Sequence, residues 1–172
     1  MSRVIKFGPF TVTRQVFLRT AYTYGLVNLK PILPGHVLVC PLRAISRVSE
    51  FTPAEAQDFY ATVQRVAGVI ESHYHADALN ISIQDGPLAG QTVPHVHCHI
   101  IPRKLHDLAN VDDVYGRLNS VDNDLQKSFE ILKQANRDDT RFQNPDVGRS
   151  GPRSMEEMER EAKELAQLFE TN

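Results

Sequence analysis

Three histidines in the middle of the chain are the side chains best suited to chemistry. His95, His97 and His99 are separated by one apolar residue each. Because successive side chains of a β-strand point to opposite faces, this spacing predicts a strand with three imidazoles on one face. A loop that contains Gly86, Pro87 and Gly90 precedes them closely.

Two kinds of chemistry are compatible with three imidazoles on one strand face. The first is metal binding, since neutral imidazole is the commonest metal ligand. Neighbours on one strand face lie about 7 Å apart, which is loose for three ligands of one ion. The second is covalent catalysis by one histidine, with the others polarising a phosphate and its leaving group. The residues alone leave both open, and a solvated histidine face is the least favoured interpretation.

Composition limits the class of protein and its partners. A chain of 172 residues fits one domain, and its net charge of −2 gives no reason to expect nucleic acid or a membrane surface as a partner. No apolar run approaches the roughly 20 residues of a membrane span, and no secretory signal is visible. Cys40 and Cys98 lie in apolar runs, which indicates buried thiols in a reducing compartment. We therefore expect a protein of the cytoplasm, and a nuclear location is also compatible with the sequence.

The elements that must position the histidines follow from patterning. Apolar runs bounded by proline and glycine predict strands over residues 3–7, 12–18, 24–29, 36–40, 80–85 and 95–101. A capping box at residues 52–55, followed by an apolar stripe, predicts a long helix between the fourth and fifth strands. Short connections between successive strands favour a mainly antiparallel sheet. The fold class expected is therefore α/β, of the α+β type.

The chain is divided by composition into three parts. Residues 1–105 carry the strands and the histidines and form the expected catalytic domain. Residues 106–150 are rich in polar residues and predict a mobile insertion, with at most a short amphipathic helix around Leu125 and Phe129. Residues 151–172 contain a second capping box and an apolar stripe, which predicts a C-terminal helix that docks on the same domain.

Several segments together resemble a known family. Residues 84–87, 89–93 and 95–99 resemble the histidine triad (HIT) superfamily. Residues 101–104, 26–43 and 153–158 are similar to its fragile-histidine-triad branch, the dinucleoside polyphosphate hydrolases. The resemblance implies a HIT-like fold with a five-stranded, mainly antiparallel sheet, a long central helix and a homodimeric assembly.

The resemblance also implies roles for individual residues. His97 would attack the α-phosphate of a dinucleoside polyphosphate, with its Nδ1–H on a backbone carbonyl, to form a nucleotidyl-histidine that water hydrolyses. His95 and His99 would donate to phosphate oxygens or the leaving group, and His36 would support the triad. Gln91 would hold the phosphate chain together with the loop amides. The substrate-binding residues implied are Phe7 against the base, Asn28 at the ribose, and Gln84, Gln91, Thr92 and His99.

Some questions stay open at the level of sequence. The resemblance implies no tightly bound cofactor and no protein metal site, although Mg or Mn can accompany the substrate. Alternatives are a nucleoside phosphoramidase, a nucleotidyl transferase, or a signalling module that acts as its substrate-bound complex. A phosphoramidase of the superfamily usually carries a tryptophan-containing tail, whereas this chain has no tryptophan. Triphosphate and tetraphosphate substrates are not distinguished, and Tyr115 corresponds to a tyrosine that can be phosphorylated in the branch.

Overall fold

The computed structural model describes residues 4–135 and 152–170. Within these ranges the strands are β1 (Lys6–Phe7), β2 (Phe10–Thr11), β3 (Val16–Arg19), β4 (Thr23–Val27), β5 (Val37–Pro41), β6 (Ala78–Ile83) and β7 (Cys98–Arg103). The helices are α1 (Pro53–Tyr74), α2 (Asp113–Ala135) and α3 (Met155–Glu170). None of the helices that the structure describes has the length and apolar character needed to cross a membrane.

One five-stranded sheet organises the molecule. Its strand order is β3-β4-β5-β7-β6, and every neighbouring pair is antiparallel. This confirms the predicted sheet. Strands β4, β5 and β7 are buried along their whole length. Helix α1 packs across all three strands, and α3 also packs against β4. Strands β1 and β2 form a separate small hairpin.

The long helix α1 begins where the capping signal predicts. The Thr52 hydroxyl accepts the Glu55 N–H at 3.3 Å, and the Glu55 carboxylate accepts the Thr52 N–H at 2.9 Å. The same carboxylate receives two hydrogen bonds of 2.7 Å from the Arg43 guanidinium. These bonds, those from Arg43 foremost, lower the pKa of Glu55 to about 2. The start of α1 is thereby tied to the chain just beyond β5.

The C-terminal helix α3 shares the core of the sheet. Its residues Met158, Ala162, Leu165 and Phe169 are buried. Phe169 stacks on Phe17 with ring centroids 5.6 Å apart. The helix packs against β3 and β4, so residues 155–170 form one hydrophobic core with the strands of the sheet.

Helix α2 corrects the expected mobile insertion over residues 106–150. It spans 23 residues, and its Leu125 and Phe129 are buried in the main core. Val114 and Leu118, nearer its start, are buried against Ile101 of β7. Exposed side chains such as Lys127 and Glu130 contribute to the polar composition that suggested mobility, and a narrow apolar stripe suffices to dock a helix. The remainder of the predicted insertion, from 136 to 150, lies outside the described residues.

Both cysteines are buried as free thiols. Cys98 opens β7 opposite Val39 of β5, and Cys40 follows directly on that strand. Burial raises the pKa of Cys98 to about 12, so the thiol stays protonated at neutral pH. The two side chains therefore act as small apolar core residues.

Candidate active site

The three histidines converge, although the strand that carries them is shorter than predicted. Strand β7 begins at Cys98, so His99 lies in the sheet, while His95 and His97 lie in the segment that leads into it. The rings of His97 and His99 have centroids 5.0 Å apart. All three side chains are almost completely buried, which excludes a solvated histidine face.

His95 is held by the backbone on both sides of its ring. Its Nε2–H donates to the Pro41 carbonyl at 2.7 Å, and its Nδ1 accepts the Gly8 N–H at 3.0 Å. Burial lowers its pKa to about 4, which keeps the ring neutral at pH 7. His95 therefore has no N–H to offer a phosphate oxygen, which corrects the donor role expected for it. It joins the β1–β2 turn to the end of β5.

His97 has the tautomer that a nucleophile requires. Its Nδ1 lies 2.8 Å from the carbonyl oxygen of His95, which can only accept, so Nδ1 carries the proton. The lone pair of the neutral ring then resides on Nε2. A neutral imidazole with its lone pair directed away from a fixed N–H···O=C bond is a competent nucleophile toward phosphorus.

His36 and His99 form a polarised pair. The Ile32 N–H donates to His36 Nδ1 at 3.1 Å, so His36 carries its proton on Nε2. That Nε2 lies 3.0 Å from His99 Nδ1 and donates to it. His99 in turn carries its own proton on Nε2. A neutral N–H donor is thus set beside the His97 ring, where it can stabilise the oxygen of a leaving group.

Asn28 and Arg153 lie next to the His36–His99 pair. The Asn28 side-chain nitrogen lies 3.2 Å from His36 Nε2, and its side-chain oxygen accepts the Lys30 N–H at 2.9 Å. The Arg153 guanidinium donates to the Asn28 backbone carbonyl and pairs with Glu161 of α3. The structure thus places Asn28, predicted at the ribose, fully buried against His36. The Arg153 contact was missed from sequence, although it opens a motif that resembled the branch.

The glycine loop positions two of the predicted polar side chains. Gly86 and Gly90 have φ of 110° and 95°, and such positive values favour glycine. Gln91 is buried and donates from Nε2 to the Ser46 carbonyl at 2.8 Å. Gln84, at the end of β6, is also buried and donates from Nε2 to the Asn119 side-chain oxygen at 2.8 Å. Thr92 follows the loop in a half-buried position.

A match to the HIT domain family covers residues 10–106, which include the sheet and all four histidines of the site. The chain belongs to the HIT domain family. This confirms the resemblance on which the roles of the histidines were predicted.

Two curated relatives are similar to nearly the whole chain. A bis(5'-adenosyl)-triphosphatase from Dictyostelium discoideum is 42% identical over 167 residues, covering 96% of this chain and 93% of the relative. An asymmetrical bis(5'-nucleosyl)-tetraphosphatase from Schizosaccharomyces pombe is 44% identical over 175 residues, covering 98% of this chain and 96% of the relative. The similarity therefore extends beyond the HIT domain into α2 and α3.

Two solved structures share the fold. The C. elegans NitFhit protein superposes with a TM-score of 0.70 at 30% identity, covering 98% of this chain and 31% of that chain. This chain thus spans about a third of that protein. A Plasmodium falciparum diadenosine triphosphate hydrolase, in complex with cyclomarin A, superposes with a TM-score of 0.60 at 34% identity, covering 75% of this chain and 88% of that chain.

Helix α2 covers one side of the site in this HIT protein. Phe7 is fully buried, with ring centroids 5.5 Å from His95, 5.2 Å from His97 and 6.0 Å from Phe129 of α2. Phe129 also stacks on Phe10 at 4.7 Å. Phe7 therefore lies beside the histidines, and its contact with the base stays a prediction. The spacing of Leu125 and Phe129 in the sequence indicated only a helix and did not reveal that Phe129 covers Phe7.

The arrangement of nitrogens favours covalent chemistry over metal binding by the HIT histidines. Both His95 nitrogens bond the backbone, and His36 and His99 bond each other. Within residues 4–135 and 152–170, no group of three histidine, cysteine, aspartate or glutamate side chains is placed to hold a metal ion. The histidine rings instead place a nucleophile, His97, beside an N–H donor, His99.

Proposed function

We propose that this protein hydrolyses dinucleoside polyphosphates, such as diadenosine triphosphate or tetraphosphate, to AMP plus ADP or ATP. The observation that carries the proposal is His97, with its Nδ1–H on the His95 carbonyl, next to the N–H donor of His99. The relatives from Dictyostelium discoideum and Schizosaccharomyces pombe, named for triphosphatase and tetraphosphatase activities, support it.

The first step would be an in-line displacement at the α-phosphorus. His97 Nε2 donates its lone pair to phosphorus, and the bond from phosphorus to the bridging oxygen breaks. The leaving ADP or ATP keeps that oxygen and its electron pair, which the Nε2–H of His99 stabilises by a hydrogen bond. The product is an adenylylated imidazolium on His97.

The second step would release AMP. The imidazolium is a good leaving group because its departure restores a neutral ring whose Nδ1–H is already bonded to the His95 carbonyl. Water attacks the same phosphorus, the phosphorus–nitrogen bond breaks toward His97, and the water proton passes to solvent. Loop amides and Gln91 would hold the phosphate chain during both steps. Any divalent cation, Mg or Mn, would arrive with the polyphosphate.

Isotope and stereochemical labelling test the covalent route. Hydrolysis of diadenosine triphosphate in ¹⁸O-labelled water should place label in AMP and not in ADP, because both attacks occur at the α-phosphorus. With a chiral α-phosphorothioate substrate, two in-line displacements should retain configuration at phosphorus. Inversion would rule out the histidine intermediate. Comparing triphosphate and tetraphosphate in the same assay decides between the two substrates.

We also propose that the protein is a homodimer. Strand β6 lies at an edge of the sheet, and its Ile81 side chain is 49% exposed. An exposed edge strand with an apolar side chain is a surface on which a second copy can pair.

Replacing Ile81 with lysine should convert the dimer to a monomer, because a charge at the pairing edge opposes its burial. Sedimentation equilibrium of the wild type and the variant measures this. Ile131→Lys, at an exposed position of α2, is the matched control and should remain a dimer. A monomeric wild type, or a dimeric Ile81→Lys variant, would contradict the proposed interface.

A further inference from the structure

The hydroxyl of Tyr24 bonds a strand that lies outside the main sheet. Tyr24 is on β4, and its side chain is completely buried. Its hydroxyl donates to the Lys6 carbonyl of β1 at 3.0 Å. Burial raises the pKa of Tyr24, so the phenol keeps the proton that this carbonyl accepts. The bond therefore connects the five-stranded sheet to the small β1–β2 hairpin.

The peptide groups on both sides of Phe7 are fixed by hydrogen bonds. The Lys6 carbonyl belongs to the peptide that precedes Phe7, and it accepts the Tyr24 hydroxyl. The Gly8 N–H belongs to the peptide that follows Phe7, and it donates to His95 Nδ1 at 3.0 Å. A residue has only two soft backbone dihedrals, which the two flanking peptide planes define. The two bonds therefore set the direction in which the Phe7 side chain leaves the backbone.

The Phe7 ring packs against the histidine that the proposed function uses as its nucleophile. The rings of Phe7 and His97 meet edge to face, with centroids 5.2 Å apart and planes at 88°. His99 makes a second T-shaped contact with the same imidazole at 5.0 Å. Rings packed in this way limit the rotation of the His97 imidazole about its Nδ1–H bond to the His95 carbonyl. In-line attack depends on that restriction, because the lone pair of Nε2 must point at phosphorus.

We propose that Tyr24 is a positioning residue whose hydroxyl holds Phe7 against His97 and thereby keeps the His97 imidazole aligned for attack on the substrate. This inference rests on the proposed function. The ring of Tyr24 also packs edge to face on His95, with centroids 6.3 Å apart. Tyr24→Phe keeps this packing and removes only the hydroxyl, so it isolates the bond to the Lys6 carbonyl.

Single-turnover kinetics of Tyr24→Phe with diadenosine triphosphate test the positioning role. Samples quenched in alkali give the rate at which adenylate appears on the protein. We expect this rate to fall about fivefold, the factor that one hydrogen bond contributes. The matched control is Tyr60→Phe, which removes the same hydroxyl from an exposed position of α1 and should behave as wild type. An unchanged rate in Tyr24→Phe would overturn the inference.

A double-mutant cycle tests whether Tyr24 acts through Phe7. Phe7→Leu keeps an apolar side chain but lacks the ring that faces His97, and it should slow adenylylation by about fivefold or more. Adding Tyr24→Phe to Phe7→Leu should slow the reaction no further, because both substitutions disturb the same contact. Additive losses would overturn the link through Phe7.

The imidazole resonances of His97 in the NMR spectrum separate this inference from the proposed function. The ring current of Phe7 shifts the His97 ring protons, which are identified as the signals absent from His97→Asn. Tyr24→Phe should change this shift at a melting temperature close to that of wild type, whereas Tyr60→Phe should leave it unchanged. A wild type that hydrolyses neither dinucleotide contradicts the proposed function, and these signals still test Tyr24. Identical His97 resonances in wild type and Tyr24→Phe would overturn the inference.

Discussion

Replacing His97 with asparagine should lower kcat for diadenosine triphosphate by at least about a thousandfold while leaving substrate affinity largely intact. His97 is the histidine whose protonated nitrogen bonds a backbone carbonyl, so that its lone pair resides on Nε2. Asparagine keeps a side-chain N–H for the His95 carbonyl and loses the nucleophile. Removing the group that forms a covalent bond raises the barrier far more than it weakens ground-state contacts.

Three measurements make this test decisive. Turnover is followed by product formation, and affinity by equilibrium binding of the unhydrolysed substrate to the variant. His73→Asn is the matched control, because His73 is exposed at the end of α1 and should keep full activity. Denaturation in alkali soon after mixing, where the phosphorus–nitrogen bond survives, should show labelled adenylate on wild-type protein and none on His97→Asn. Residual activity above about a thousandth of wild type would exclude His97 as the nucleophile.

Replacing His36 with leucine should lower kcat for diadenosine triphosphate by about a hundredfold, with a much smaller change in KM. The substitution removes the N–H that donates to His99 Nδ1 at 3.0 Å. Without that bond, His99 can place its proton on Nδ1, which leaves Nε2 without a proton for the leaving oxygen. The change acts on the bond-breaking step more than on binding.

The choice of leaving group separates this role from a general loss of structure. In an AMP ester of p-nitrophenol the leaving group is p-nitrophenolate, which departs readily without a hydrogen bond from His99. His36→Leu should therefore reduce the turnover of this substrate far less. His73→Leu controls for the loss of an imidazole at an exposed position. An equal loss on both substrates would show that His36 maintains the fold of the site and does not orient His99.

Local patterns in the sequence determined where the long helix begins and that the histidines lie together. The capping box at Thr52–Glu55 placed the start of α1 correctly, because a side-chain cap depends only on residues three apart. Alternation likewise predicted that His97 and His99 lie side by side, since the pleat of an extended chain sets that relation. The family was also readable, because its motifs are contiguous in the chain.

Tertiary structure alone decided what each histidine does. His95 and His99 are the same residue type at equivalent spacing from His97, yet His95 has both ring nitrogens bonded to the backbone at Pro41 and Gly8, whereas His99 is oriented by His36. These partners are between 54 and 87 residues away along the chain, so no local pattern encodes them. Helix α2 shows the same limit. Its polar composition predicted a mobile insertion, and only the contacts of Phe129 with Phe7 and Phe10 establish that the helix docks on the core. The tautomer of an imidazole and the docking of a helix depend on contacts that exist only once distant segments meet.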